Sequence, residues 1–275
     1  MAQSPQLDGW ALVLGASSGF GGATSVELAR HGMDIFGVHL DRAQTLPLAQ
    51  QVAADVEATG RRAVFFNVNA ADDGKRAQTI ESIRETTGGK PTVSLLLHSL
   101  AFGTLRSFIA FDESGNGAVG DRKQALTRAQ LEMTLDVMAN SLVYWVQDLV
   151  YAGLMARGAS IWAMTSAGDL RVIPTYGAVS AAKSCLDSHV RQLAVELAPL
   201  GIRVNAIRAG ITDTPALRKI PVNAQLIEHA TQRNPSGRMT TPADVAQAIA
   251  TLAQPGAAWM TGNVINVDGG EETVA

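Results

Sequence analysis

The chain has 275 residues, 47% of them hydrophobic, which is enough for one large α/β domain with a substantial core. Its net charge of −3 offers no basic field for nucleic acid or for an anionic membrane surface. The one cysteine, Cys185, excludes an internal disulfide, suits a reducing compartment and reads as a small apolar helix residue. The opening MAQSPQLDGW lacks a basic stretch followed by an apolar run, and no window reaches the ~18 apolar residues of a membrane span. A soluble, cytoplasmic protein is expected, with no nucleic-acid or membrane partner and no metal.

Strand-like and helix-like runs alternate along the whole chain. WALVLG (10–15) predicts a strand and 23–31 a helix. MDIFGVHL (33–40) predicts a second strand, followed by a helix over 46–59. RAVFFNV (62–68) and a helix over 74–86 come next, then VSLLLHS (93–99). One long helix is expected over 126–156, then the strand SIWAMTS (160–166) and a helix over 176–198 ended by Pro199. RVNAIRA (203–209), a helix over 242–253 and NVINVDG (263–269) complete the pattern. Runs apolar on both faces, alternating with helices, predict a doubly wound, Rossmann-type α/β fold. It would be a seven-stranded parallel sheet with helices on both faces.

No repeat or linker divides the chain, so residues 1–275 read as a single domain. Two long loops, 103–127 and 211–241, follow strands at the carboxyl ends where ligands bind in such sheets. The second is expected to be a substrate lid. The first is an insertion that is functional, mobile or a contact between subunits.

Directly after the first strand comes GASSGFGG, with Gly15, Ser17, Ser18, Gly19, Phe20 and Gly21 in a G-x-x-x-G-x-G spacing. Such glycines let the backbone turn tightly against a pyrophosphate, and the following helix offers free N–H groups. A glycine-rich turn without a ligand is the bland alternative. The spacing resembles that of the short-chain dehydrogenase/reductase family, and the resemblance runs over nearly the whole chain. Asn67 and Val68 stand where that family places Asp-Val under the adenine, and RVNAI (203–207) and TGNVINVDGG (261–270) match as well. The resemblance implies a bound NAD or NADP.

An NAD site usually carries an acid at the end of the second strand, where this chain has His39. Asp41 and Arg42 follow. Arg42 can pair with a 2′-phosphate and Ser17 and Ser18 can donate to it, so NADPH is expected over NADH. The alternative makes His39 and Arg42 ordinary strand-end residues and leaves Asp41 to hold the ribose.

IPTYGAVSAAK (173–183) places Tyr176 and Lys183 seven residues apart. A seven-residue step returns to within ~20° of the same helix face, about 10 Å along the axis. The tyrosine hydroxyl can donate to developing oxyanion charge, and a nearby ammonium would lower its pKa. Most family members acting on ketones use Tyr-x-x-x-Lys, and Val179 at that position cannot donate a proton. The Tyr-x6-Lys form resembles the bacterial enoyl-acyl-carrier-protein reductases, in particular an NADPH-using subset. His98, Ser99 and the residues to Phe102 resemble a segment of that branch, as does ITDTPALRKIP…NPSGRM (211–239). An asparagine of the ketone reducers' proton relay is replaced by Met138, with Asn140 two residues on. Ser166 stands where many enoyl reductases have a second tyrosine. It can bond a substrate oxygen, as the catalytic serine of the ketone reducers does, or simply cap the strand.

The family resemblance further implies that Gly210, Ile211 and Thr214 hold the nicotinamide carboxamide, with Ile211 acting through its backbone. It implies that Lys183 holds the ribose. Leu217, Ile220, Leu226 and Ile227, on a helix candidate from 215 onward, would cover an acyl chain. Arg171, Arg208, Arg218 and Lys219 would form a basic rim for an acidic acyl carrier protein. The expected activity is reduction of an enoyl thioester double bond by NAD(P)H. The alternatives are a ketone/alcohol oxidoreductase and a catalytically silent dinucleotide-binding protein. A homotetramer or homodimer is expected, with Leu142, Trp145, Val146 and Leu149 serving an interface or the core.

Overall fold

The computed structural model describes residues 7–112, 117–220 and 223–274. Seven parallel strands lie in the order β3-β2-β1-β4-β5-β6-β7. They are β1 (Trp10–Leu14), β2 (Asp34–His39), β3 (Ala63–Asn67), β4 (Val93–His98), β5 (Met155–Ser166), β6 (Arg203–Ala209) and β7 (Val264–Val267). The helices are α1 (Gly19–Arg30), α2 (Leu46–Glu57), α3 (Asp73–Thr87), α4 (Arg128–Leu135), α5 (Ser141–Tyr151), α6 (Gly177–Glu196), α7 (Asn223–Arg233) and α8 (Pro242–Leu252). This is the predicted doubly wound Rossmann-type sheet.

The two-residue period of the strands divides the core into two layers. Trp10, Leu12, Leu14, Phe36 and Leu96 face α5 and α6, packing on Leu142, Trp145, Leu149, Leu186 and Val190. Ala11, Val13, Ile35, Leu95 and Leu97 join the opposite layer with Leu28, Val245 and Ile249 from α1 and α8. Each fully buried Leu or Ile contributes ~1.5–3 kcal/mol. Leu142, Trp145, Val146 and Leu149 therefore serve the chain's own core, which resolves the alternative left open by the sequence.

The expected helix over 126–156 is divided. A capping box between Thr127 and Gln130 starts α4, a π-helical turn spans Asp136–Asn140, and α5 ends at Tyr151. Residues 155 and 156 are strand rather than helix. β5 begins at Met155, paired with Val93, and its register shifts before Ser160 meets Leu95. α1 starts four residues earlier than predicted, because Gly19–Gly22 belong to its first turn. At the other end of the chain, residues 217–219 form a short 3₁₀ turn, so no continuous helix runs on from 215.

Strand order reverses beside β1. Its neighbours β2 and β4 lead the chain to opposite sides, and the crevice beyond their carboxyl ends is the expected ligand site. No helix among the described residues is long and apolar enough to cross a membrane.

Candidate active site

The phosphate turn lies in that crevice. Gly15 has φ +91°, and a Cβ there would collide with the Ser99 carbonyl oxygen at the end of β4. A Cβ on Gly21 would collide with the Gly15 carbonyl. The Gly15 and Ala16 amides bond the Val38 carbonyl at 2.8 and 3.0 Å, which ties the turn to β2. Ser18 caps α1 in extended conformation without a side-chain hydrogen bond, so the first N–H groups of α1 receive no side-chain cap. The Thr214 side chain faces Gly19 across the crevice. This cradle fits a dinucleotide pyrophosphate. Phe20 is a packing residue against the core layer under α1.

At the adenosine end, His39 is buried and its Nδ1 lies 2.9 Å from Asp41 Oδ2. Burial raises the Asp41 carboxyl, but hydrogen bonds from Thr45, Ser17 and His39 outweigh it and hold the group below its ordinary value. The Asn67 amide clamps the Asp41 backbone, accepting from its N–H and donating to its carbonyl, both at 2.9 Å. The Val68 amide bonds the His39 carbonyl at 2.8 Å. Arg42 is exposed, and among the described residues its side chain has no ion pair.

Tyr176 is the residue immediately before α6, and its carbonyl accepts from the Ser180 amide at 2.9 Å. Thr175, just before it, is the one described non-glycine residue with positive φ, at 65°. A β-branched residue there carries strain of order 1–3 kcal/mol, stored next to the reactive side chain. The Tyr176 ring packs on Gly168, where a Cβ would sit 2.5 Å from Cε1 and 3.3 Å from Ser166 Oγ. Ser166 Oγ is buried and makes no hydrogen bond of normal geometry. Burial pushes the Tyr176 hydroxyl above its ordinary value, the neighbouring Ser166 opposes that, and the Asp169 carboxylate adds to it. The expected lowering by Lys183 is therefore not what this structure has. Desolvation and Asp169 win because the tyrosine lies deep beside an acid.

Lys183 is buried on α6 and donates from Nζ to the Met164 carbonyl at 2.6 Å. Burial lowers its pKa to about 8, with Asp187 and Asp169 working against the fall. His98 is fully buried beside it. Ser141 Oγ donates to the Val137 carbonyl at 2.8 Å, so the His98 Nε2–H donates to Ser141 Oγ at 2.9 Å. Burial first, and Lys183 next, lower His98 to about 3, which keeps it neutral. Its Nε2 tethers β4 to α5, while its Nδ1 makes no hydrogen bond of normal geometry. The Ser99 amide bonds the Leu14 carbonyl at 2.8 Å. Met138 is buried in the π turn, while the Asn140 amide oxygen meets His189 at 3.1 Å and Cys185 at 3.9 Å. Cys185 and His189 lie ~160° and ~120° around α6 from Lys183, so Asn140 serves another face.

At the nicotinamide end, the Ile211 amide is already engaged by Glu271 Oε2 at 3.0 Å. A Cβ on Gly210 would sit 2.9 Å from that oxygen. Glu271 had no signal in the sequence, because it comes from the chain end, 60 residues away. The Ile211 N–H can take a carboxamide oxygen only by displacing this carboxylate. Thr214 Oγ1 accepts from the Leu217 amide at 3.2 Å.

The basic rim is not formed as expected. Arg208 is buried against Asp169 at 2.5 Å, Arg171 pairs with Glu272 at 2.9 Å, and Arg218 pairs with Asp213 at 2.8 Å. In the 103–127 insertion, Phe111 and Val119 form an antiparallel bridge; residues 113–116 lie outside the described residues. The Phe108 ring covers Gly177, next to Tyr176.

Residues 15–272 match the family described as Enoyl-(Acyl carrier protein) reductase. The chain belongs to the short-chain dehydrogenase/reductase superfamily. It is 30% identical to the 1-cyclohexenylcarbonyl-CoA reductase of Streptomyces collinus over 271 residues, covering 96% of this chain and 87% of that one. It is 31% identical to the cis-4-hydroxycyclohexanecarboxylate dehydrogenase of Sinomonas cyclohexanicum, covering 96% of both. The structure of a short chain dehydrogenase from Burkholderia cenocepacia J2315 in complex with NADP superposes with a TM-score of 0.79 at 26% identity, over 98% of this chain and 100% of that one. As a member of this superfamily, the chain is an NAD(P)H-dependent oxidoreductase. The similar proteins divide between reducers of conjugated thioesters and dehydrogenases of alcohols.

Proposed function

We propose that this oxidoreductase interconverts a ketone and a secondary alcohol on a six-membered carbocycle. The observation that carries the proposal is the Ser166 hydroxyl, buried beside Tyr176, with which it interacts, and without a hydrogen bond of normal geometry. The two hydroxyls lie side by side, and a buried hydroxyl with poorly satisfied hydrogen-bonding capacity gains when a carbonyl oxygen meets it. The ring preference rests on the names of the two relatives, which share a cyclohexane skeleton.

Ser166 would hold the carbonyl oxygen, and Tyr176 would hold it and then donate its proton. When bound, the reduced coenzyme supplies the hydride. The Lys183 ammonium would hold the ribose and stabilise the tyrosinate left behind. In the oxidative direction the same tyrosinate removes the alcohol proton. Gly15, Ser17, Ser18, Gly19, Gly21 and Thr214 would hold the coenzyme. Residues 211–241 would close over the substrate.

A second reading has its own observation. The seven-residue step from Tyr176 to Lys183 and the matching family description support reduction of an enoyl thioester. Tyr176 would then face an enolate oxygen. The two are separated by initial rates with cyclohexanone, 4-oxocyclohexanecarboxylate, 1-cyclohexenylcarbonyl-CoA and crotonyl-CoA. The ring ketones are expected to turn over fastest. A chain that turns over only the conjugated thioesters refutes the first reading in favour of the second.

The proposed coenzyme is NADPH. Asp41 is already engaged by three donors, whereas exposed Arg42 is free to meet a 2′-phosphate. Arg42→Ala is expected to raise the KM for NADPH about tenfold, the worth of one charge-assisted hydrogen bond, and to leave NADH unaffected. Equal losses for both coenzymes would remove Arg42 from the selectivity.

A further inference from the structure

Behind the Tyr176–Lys183 pair lies a second group of charged side chains that the proposed mechanism does not use. Asp187 follows Lys183 by one turn of α6, so both point to the same side. Asp169 stands on the turn after β5, and Arg208 on β6 reaches between the two acids. Its Nη2 is 2.5 Å from Asp169 Oδ2 and 3.8 Å from Asp187 Oδ2. Asp187 is buried and the side chains of Asp169 and Arg208 are largely so, with 13% exposure for Arg208 the highest of the three. The groups facing Asp187 are Lys183 on its own helix, Thr165 on β5, Asp169 on the turn and Arg208 on β6.

One oxygen of each acid, Asp169 Oδ1 and Asp187 Oδ1, makes no hydrogen bond of normal geometry, although Thr165 and Asp169 face Asp187. Two carboxylates in contact with oxygens unsatisfied are poorly accommodated in a buried site, and a proton shared between them relieves both. Burial and the neighbouring Asp169 push Asp187 up to about 7. Around neutrality the cluster therefore passes from one negative charge to two, against Arg208. The second charge arises one helical turn from Lys183, whose buried ammonium is itself poised near pH 8.

We propose that Asp187, paired with Asp169 under Arg208, is a positioning residue that keeps the Lys183 ammonium charged in its buried site. The inference rests on the functional reading only in assigning Lys183 to catalysis. As pH rises, Asp187 ionises and its charge opposes loss of the Lys183 proton. The pair thus keeps the positive charge on Lys183 across the range in which a lone buried lysine would lose it. Removing Asp187 removes a cause that raises the Lys183 pKa, so the ammonium is lost at lower pH.

The test is the pH dependence of kcat and kcat/KM for wild type, Asp187→Asn and Asp169→Asn. It is paired with infrared titration of protonated carboxyl groups in the protein without substrate. Wild type should lose activity through an alkaline limb near pH 8. Asp187→Asn should move that limb down by about one pH unit or more, the usual effect of one nearby opposite charge. Its coenzyme KM at the acid end should stay within about twofold of wild type, and the neutral carboxyl band should vanish. Asp169→Asn should shift the limb in the same direction and lower the pH at which the Asp187 carboxyl titrates. An alkaline limb unmoved in Asp187→Asn overturns the proposal. So does a carboxyl band that titrates at the ordinary Asp value. The infrared reading needs no turnover, so a wrong substrate assignment would leave it standing. Circular dichroism of each variant separates a folding defect from a shifted limb.

Discussion

Tyr176→Phe is expected to lower turnover by ~10²–10⁴-fold while leaving coenzyme binding intact. The substitution removes one oxygen and keeps the ring that packs on Gly168, so the packing around it is unchanged. What is lost is the proton donor at the entry to α6, beside Ser166. Ser166 itself has no hydrogen bond of normal geometry to a base, so it cannot take over the transfer. Either substrate reading needs the hydroxyl, because each places negative charge on an oxygen beside it. Initial rates and a coenzyme titration check both halves of the expectation. Retention of turnover within tenfold would place the acid elsewhere.

The second large effect comes from a residue with no chemistry of its own. Gly168→Ala puts a Cβ 2.5 Å from Tyr176 Cε1, closer than real contacts allow. The tyrosine ring cannot yield easily, because strained Thr175 and the first turn of α6 fix its backbone. The hydroxyl is displaced from Ser166, and a displacement near 1 Å costs ~10²-fold. The expected result is a kcat lowered by about that factor, with coenzyme Kd unchanged because the phosphate turn is untouched. A Gly168→Ala enzyme with wild-type kcat would show that the ring position is not critical.

Local signals carried the fold. The apolar strand runs and the GASSGFGG turn each specify their structure within a few residues, and the sheet and crevice follow from them. The reach of α1 was missed because its first turn is glycine, a poor helix former that is wanted there for close approach. The start of β5 was missed because 155–159 carries only a bulged, half-exposed pairing. The π turn at Asp136–Asn140 leaves no mark in the hydrophobic period.

Much of the site was equally local: Tyr176 immediately precedes the helix that carries Lys183, and Ser166 ends one strand. The electrostatics were not local. Asp169, Asp187 and Arg208 come from three elements and meet only when α6 packs on β5 and β6. Read alone, Arg208 is a cation at a strand end near the mouth, which suits a rim; its acidic partners lie on other elements. Glu271 on the Ile211 amide is the same kind of long-range contact.

The central claim is hydride transfer to a carbon whose attached oxygen is held by Tyr176 and Ser166. It is tested most directly by supplying coenzyme deuterated at the transferring position and locating the label in the product of the best ketone. The account predicts deuterium on the carbinol carbon, at one face, with the amount of labelled product made by Tyr176→Phe at equal time lowered ~10²–10⁴-fold. Deuterium found only in the product of a conjugated thioester, or coenzyme bound with no deuterium in any product, would contradict it.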